Sequence, residues 1–175
     1  MFRWVLITIL VLGVSSAVTS VESYDEYAES PTVEIEGCGI YPAIRVFIDN
    51  RETENRGFIR NGRVYLAARE TLERLGGIVI WVQSQKAFYA QYPKQTRTIR
   101  VAVGSPAVRI YQHDQKAQEG AGKLLKTITL NAAPFICGGR VYAPMRAAVE
   151  GVGGSVQYDQ KANIVRVYQP KSAGA

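Results

Sequence analysis

Phe58 to Trp81 reads FIRNGRVYLAARETLERLGGIVIW, and Phe135 to Tyr158 reads FICGGRVYAPMRAAVEGVGGSVQY. The two stretches align without a gap at an offset of 77 residues, and 11 of their 24 positions are identical. The shared skeleton is Phe-Ile-x-x-Gly-Arg-Val-Tyr, then Arg, then Glu four residues on, then Gly-Gly-x-Val. Self-similarity at a fixed offset bears on the architecture before any single residue does.

Both copies predict one order of elements. Asn61-Gly62 stands between strand formers, a strong hairpin signal because both turn residues need positive φ. Gly138-Gly139 meets the same backbone demand in the second copy. A short helix follows. Ala68, Leu72 and Leu75 in the first copy, and Met145, Val149 and Val152 in the second, fall at i, i+4 and i+7 and form one apolar stripe each. Pro144 stands near the second helix start, where its missing N–H does no harm. Gly76-Gly77 and Gly153-Gly154 end the helices, and Gly151 inside the second should weaken it. A second hairpin closes each unit.

In copy two that hairpin alternates. Val156, Tyr158, Val165 and Val167 take one face, and Ser155, Gln157, Asp159 and Arg166 the other, so one face is buried and one wet. Copy one places Ile78, Ile80, Val82 and Tyr89 at the polar positions. The expectation is a hairpin covered on both faces, by another part of the chain or by a partner. The first is preferred, because large exposed apolar patches are uncommon on monomers. Arg69–Glu73 and Arg146–Glu150 are opposite charges at i, i+4; we read them as structural helix pairs rather than a repeated binding site.

Outside the copies, Ile44–Ile48 reads as a strand and residues 49–57 as a charged loop. Thr98–Val103, Ala107–Tyr111 and Leu124–Leu130 read as strands, with a polar loop over residues 112–122. At the start, Arg3 precedes an apolar run from Trp4 to Val14, and Ser15, Ser16 and Ala17 follow. That is the pattern of a secretory signal peptide over residues 1–17. The run is short for a membrane span, and no second apolar stretch could serve as one. Residues 18–39 carry six acids and no Lys or Arg, and read as a flexible acidic lead-in. From Ile40 onward there are 20 Lys and Arg against nine Asp and Glu. This basic balance fits attraction to an anionic polymer or surface, and equally a solvated face, since the charges are spread along the chain. Export makes nucleic acid a poor partner.

Cys38 and Cys137 are the two cysteines. An oxidising compartment would permit a bridge between them, and the sequence leaves open whether one forms. With one histidine, His113, the chain has no metal-ligand spacing and no nucleophile–base arrangement with an evident orienting group. Gly122-Lys123 is not a phosphate loop, because Leu124 and Ala117 stand where Ser or Thr and the first Gly should be.

The doubled skeleton resembles the copper amine oxidase N-terminal-like domain of bacterial envelope proteins. That pattern is an apolar pair, Asn-Gly-Arg-Thr-Tyr, Val-Pro-Leu-Arg, a helix with Glu, then Leu-Gly and Val-x-Trp-Asp. Here it runs from Ile59 through Asn61-Gly62-Arg63-Val64-Tyr65 and Arg69 to Glu73, Leu75-Gly76 and Val79-Ile80-Trp81. Pro144, Met145, Arg146, Val156, Tyr158 and Asp159 keep it in the second copy, and Ile99–Ser105 resembles the link between copies. The likeness covers residues 44 to 168. Ala67, Gly138 and Val82 depart from it. It implies an α+β fold of two tandem repeats (58–92 and 135–169, within a domain over residues 40–170, ahead of a tail at 171–175). Each repeat would be an antiparallel sheet with hairpins curled around one short helix. It does not imply oxidase chemistry. The catalytic part of those enzymes needs three metal-binding histidines and a Tyr preceded by Asn, and no Tyr here follows an Asn.

These readings point to an extracytoplasmic, non-catalytic module with no cofactor or metal, binding an envelope protein or anionic cell-wall polymer. The candidate contacts are the basic residues Lys94, Arg97, Arg100, Arg109, Lys123 and Lys126 and the apolar face of Ile78, Ile80 and Tyr89. A secreted hydrolase working through Asp or Glu and a passive structural spacer are the alternatives.

Overall fold

The computed structural model describes residues 31–170, so the leader over residues 1–17, most of the acidic lead-in and the tail lie outside the described residues. In chain order the strands are β1 (Thr32–Ile35), β2 (Gly39–Ile48), β3 (Arg51–Glu52), β4 (Gly57–Arg60) and β5 (Arg63–Ala67). Helix α1 (Ala68–Arg74) follows, then β6 (Ile78–Val82), β7 (Ala87–Tyr92), β8 (Arg97–Ala102), β9 (Ala107–His113) and β10 (Ala121–Thr129). The chain continues with β11 (Phe135–Cys137), β12 (Arg140–Ala143), α2 (Arg146–Gly151), β13 (Ser155–Asp159) and β14 (Ile164–Tyr168). The fold is mostly β with two short helices, an α+β arrangement.

Both doubled stretches give hairpin, helix, hairpin, but neither closes a sheet of its own. One sheet runs β11-β12-β5-β4-β2-β14-β13, with β1 and β3 also on β2; the other runs β10-β9-β8-β7-β6. The first hairpins of the two copies join edge to edge, Tyr142 opposite Ala67 and Ala143 opposite Leu66. The second hairpins part company. β6–β7 continues into β8, whereas β14 pairs in parallel with β2. The expectation of one self-contained sheet per repeat is therefore corrected: β5 and β12 find their partners in the opposite copy.

Aromatic side chains seal that junction. Phe58 is fully buried and stacks on Tyr65 at 5.6 Å between centroids, with Tyr142 at 5.0 Å and Phe135 at 6.2 Å. These are the Phe and the Tyr of the shared skeleton from both copies, and such pairs add about 0.5–1.5 kcal/mol each beyond area burial. β1 covers this cluster with Val33 and Ile35. The acidic lead-in thus enters the fold at Thr32, which corrects its reading as flexible up to residue 39. A disulfide joins Cys38 to Cys137, with Cα atoms 6.1 Å apart across 99 residues of sequence.

The opposite face of the junction meets the main core. Ala68, Leu72 and Leu75 of the first copy and Met145, Val149 and Val152 of the second are all buried in one cluster with Ile99, Val101 and Ile110. Burial pushes the Tyr92 phenol well above its usual range, and its hydroxyl donates to the Leu72 carbonyl at 3.0 Å. The Gly-Gly stops divide their work. Gly76 and Gly153 hold positive φ. Gly77 and Gly154 make room, since a Cβ on Gly154 would stand 2.7 Å from the Tyr168 carbonyl oxygen. Gly151, the weak point of α2 on propensity, lies against Ile110, 2.6 Å from where a Cβ would be.

Two stability predictions follow from this packing. Gly154→Ala should cost about 1–3 kcal/mol by overpacking against backbone that cannot yield, read as a lowered denaturation midpoint. Reduction of Cys38–Cys137 should cost about 2–5 kcal/mol, read as a fall in melting temperature on adding dithiothreitol that Cys38→Ser reproduces.

Candidate functional site

The register of the five-stranded sheet distributes the contact residues chosen from sequence. Ile80, Tyr89, Arg100 and Arg109 stand opposite one another across β6, β7, β8 and β9, and so share the outer face. Ile78 is 58% exposed and Ile80 37%, whereas Tyr89 is 6% exposed. Tyr89 is enclosed by its neighbours. Its hydroxyl donates to Gln85 Oε1 at 2.8 Å, and Arg100 Nε lies 3.1 Å from the same hydroxyl. Lys94 and Arg97 sit at the β7–β8 turn, and Lys123 lies near the start of β10 at the same end of the sheet. Lys126 pairs with Ile110 and so belongs to the inner-facing row. The six cations therefore do not form one patch.

The expected intramolecular cover is partial. The segment after β9 folds over Thr98, whose hydroxyl donates to the Gly120 carbonyl at 2.7 Å and meets His113 Nδ1 at 3.1 Å. Among the described residues nothing buries Ile78 and Ile80.

Sequence reading missed two clefts. The first encloses about 450 Å³ between α1, β6 and the β11–β12 turn, with Arg69, Val79, Trp81, Phe88, Gly139, Arg140 and Val141 among its lining. The second encloses about 240 Å³ between the start of α2, β13 and the β4–β5 turn, lined in part by Gly62, Arg63, Val64, Arg146, Val156, Tyr158 and Val165. Each residue named for one cleft lies 77 positions from its counterpart in the other. Each cleft also takes its hairpin from one copy and its helix and outer strand from the other. The crosswise joining of β5 and β12 causes this, because each hairpin turn is carried over the opposite copy's helix. The signal in the sequence was the shared Arg63/Arg140 and Arg69/Arg146, which periodicity alone does not explain.

The clefts differ in charge. In the first, Arg69 Nη1 lies 3.3 Å from Glu73 Oε1 and 3.3 Å from the Val79 carbonyl oxygen. Arg140 donates to Asn55 Oδ1 at 2.8 Å, and Asn55 in turn donates to Glu70. Arg69 is thus paired with Glu73, and Arg140 is linked through Asn55 to Glu70, which also pairs with Arg74. In the second cleft, Ala132 and Ala147 stand at the positions of Asn55 and Glu70. No carboxylate lines it. Among the described residues Arg146 makes no ion pair, with Glu150 or otherwise, which corrects the reading of two matched helix pairs. Arg63 Nη1 donates to the Asn61 carbonyl at 3.3 Å, while its Nε is buried without a partner.

The sequence profile of the copper amine oxidase N-terminal domain matches residues 47–167. The chain belongs to this family. The matched span takes in both doubled stretches, the five-stranded sheet and both clefts, and it begins inside β2. The copper amine oxidase N-terminal domain is a non-catalytic part of the enzymes it is named for. No curated protein matches the chain, and no solved structure does. Among the described residues no helix is long and apolar enough to cross a membrane.

An unpaired buried donor destabilises by about 1–3 kcal/mol. Arg63→Met keeps an unbranched side chain as far as the Nε position and removes the guanidinium with that donor. We predict that it leaves the melting temperature unchanged or raises it, measured by thermal denaturation; a large drop would mean that Arg63 is held for the fold.

Proposed function

We propose that the protein is an exported, non-catalytic accessory module that attaches to an anionic polymer of the cell envelope. The observation that carries this reading is a charge imbalance. Residues 78–129 hold eight Lys and Arg against two Asp and Glu, and among the described residues none of the eight is in an ion pair. Unpaired cations of one sign on an extended sheet attract a polyanion and raise its association rate. Export is supported by the leader-like residues 1–17 and by the disulfide, a bond that persists in oxidising compartments. Family membership supports an accessory role, and we read the two stretches as one duplicated unit. Arg100 and Arg109, adjacent across β8 and β9 on the outer face, are the central contacts.

Retention on purified cell wall tests this. Exposed charges separated by more than about 10 Å are screened at 0.1 M salt, and by more than about 3 Å at 1 M. The protein should be retained at low salt and released at high salt, with the Arg100→Gln/Arg109→Gln chain eluting earlier. Retention that salt does not change, or no retention, counts against the reading.

A further inference from the structure

We propose that the two clefts are paired glycan-binding sites of common construction, the second taking a carboxylate-bearing sugar and the first an uncharged one. This rests on the envelope-polymer reading and narrows the polymer to an acidic polysaccharide.

The second cleft is built for an anion. Arg63 has a buried Nε with no acceptor, and Arg146 has no acidic partner among the described residues. A planar guanidinium with free donors matches a carboxylate in a bidentate fork. The first cleft has the same frame but its arginines are already engaged by Glu73 and Asn55. Both arginines already have acceptors and two carboxylates share the lining, so a neutral polar unit fits and an anion gains little. Trp81 and Tyr158 occupy the equivalent position in the two clefts. An aromatic ring offers an apolar surface to the C–H face of a sugar, while amide, carboxylate and guanidinium groups around it meet hydroxyls. Pockets of this make-up, mainly apolar with a few placed polar groups, are the usual form of small-ligand sites at roughly 300–1,000 Å³. The first cleft lies in that range and the second just below it. A polyol phosphate or an acidic peptide would supply the charge without the ring face, and is the poorer match.

Two copies of one site suit a ligand that repeats. The β4–β5 and β11–β12 turns point to opposite ends of the paired β5 and β12, roughly 27 Å apart at about 3.4 Å per residue. Engaging one polymer at both sites raises avidity over either site alone.

The test uses the full, disulfide-bonded chain and titration calorimetry with oligouronates of increasing length in which uronate and uncharged sugar units alternate. Controls are the carboxyl-reduced oligomers, poly(glycerol phosphate) and polyglutamate. The oligouronates should bind, and the reduced oligomers at least tenfold more weakly. Arg63→Met and Arg146→Gln, each with an unchanged melting temperature, should lower affinity at least tenfold, and Arg63→Lys should not restore it fully. Trp81→Ala should weaken the long oligomers and leave the shortest unchanged. Equal binding of reduced oligomers, poly(glycerol phosphate) or polyglutamate overturns the proposal, as does wild-type affinity in folded Arg63→Met and Arg146→Gln chains. If those variants bind normally while Arg100→Gln/Arg109→Gln loses wall retention, the envelope reading survives and the clefts are not its site. If wall retention is absent but oligouronate binding depends on Arg63, the clefts stand and the envelope reading fails.

Discussion

The antiparallel joining of β5 to β12 is the contact on which the other arrangements depend. It is short, with Ala143 opposite Leu66 and Tyr142 opposite Ala67, and one ladder of two residue pairs would not hold unaided. Packing on both faces holds it. On one side Phe58, Tyr65, Phe135 and Tyr142 close over one another beneath β1, beside the Cys38–Cys137 bridge. On the other, Leu66 and Ala143 enter the main core with both helices. A side chain lost from either face would loosen the same two strands.

That junction explains why the molecule has two clefts and why they are mixed in origin. Residues shared between the stretches fall into two groups. Phe58/Phe135 and Tyr65/Tyr142 meet at the join and serve the fold. Arg63/Arg140 and Arg69/Arg146 line the clefts instead, where Arg69 also ties α1 to the Val79 carbonyl of β6. The second cleft differs in having Ala147 and Ala132 at the positions of Glu70 and Asn55, and no carboxylate in its lining.

Local structure was legible in the chain. Turn chemistry at Asn61-Gly62 and Gly138-Gly139, the helix stripes from Ala68 and Met145, and the Gly-Gly stops all report demands that a residue and its near neighbours make on one another. The strand partners were not legible. Nothing in Ile164–Tyr168 states that it will lie parallel to β2 rather than continue as β7 does into β8, because that choice is made by surfaces far apart in sequence. The clefts were hidden for the same reason: Arg140 and Trp81 come together through folding alone. Arg146 and Glu150 had the right spacing for an ion pair, yet spacing on a helix permits such a pair without requiring it. The outer face of β6 carries apolar residues that its counterpart lacks, and the Gly120 segment covers Thr98 and Gln91 beside it while Ile78 and Ile80 remain exposed.

The place of β2 sets the order in which the chain can be completed. It lies between β4, which follows it within ten residues, and β14, near the end of the described chain. Asp49 accepts from the Gln169 backbone across 120 residues. Pairings of such long range close late, because the entropy of the intervening loop opposes them until other contacts form. The stretch Arg45–Ile48 of β2 therefore keeps one edge unpaired until Ile164–Val167 joins it. The middle of the larger sheet is thus among the last parts of it to close, although β2 is among the first of its strands in the chain.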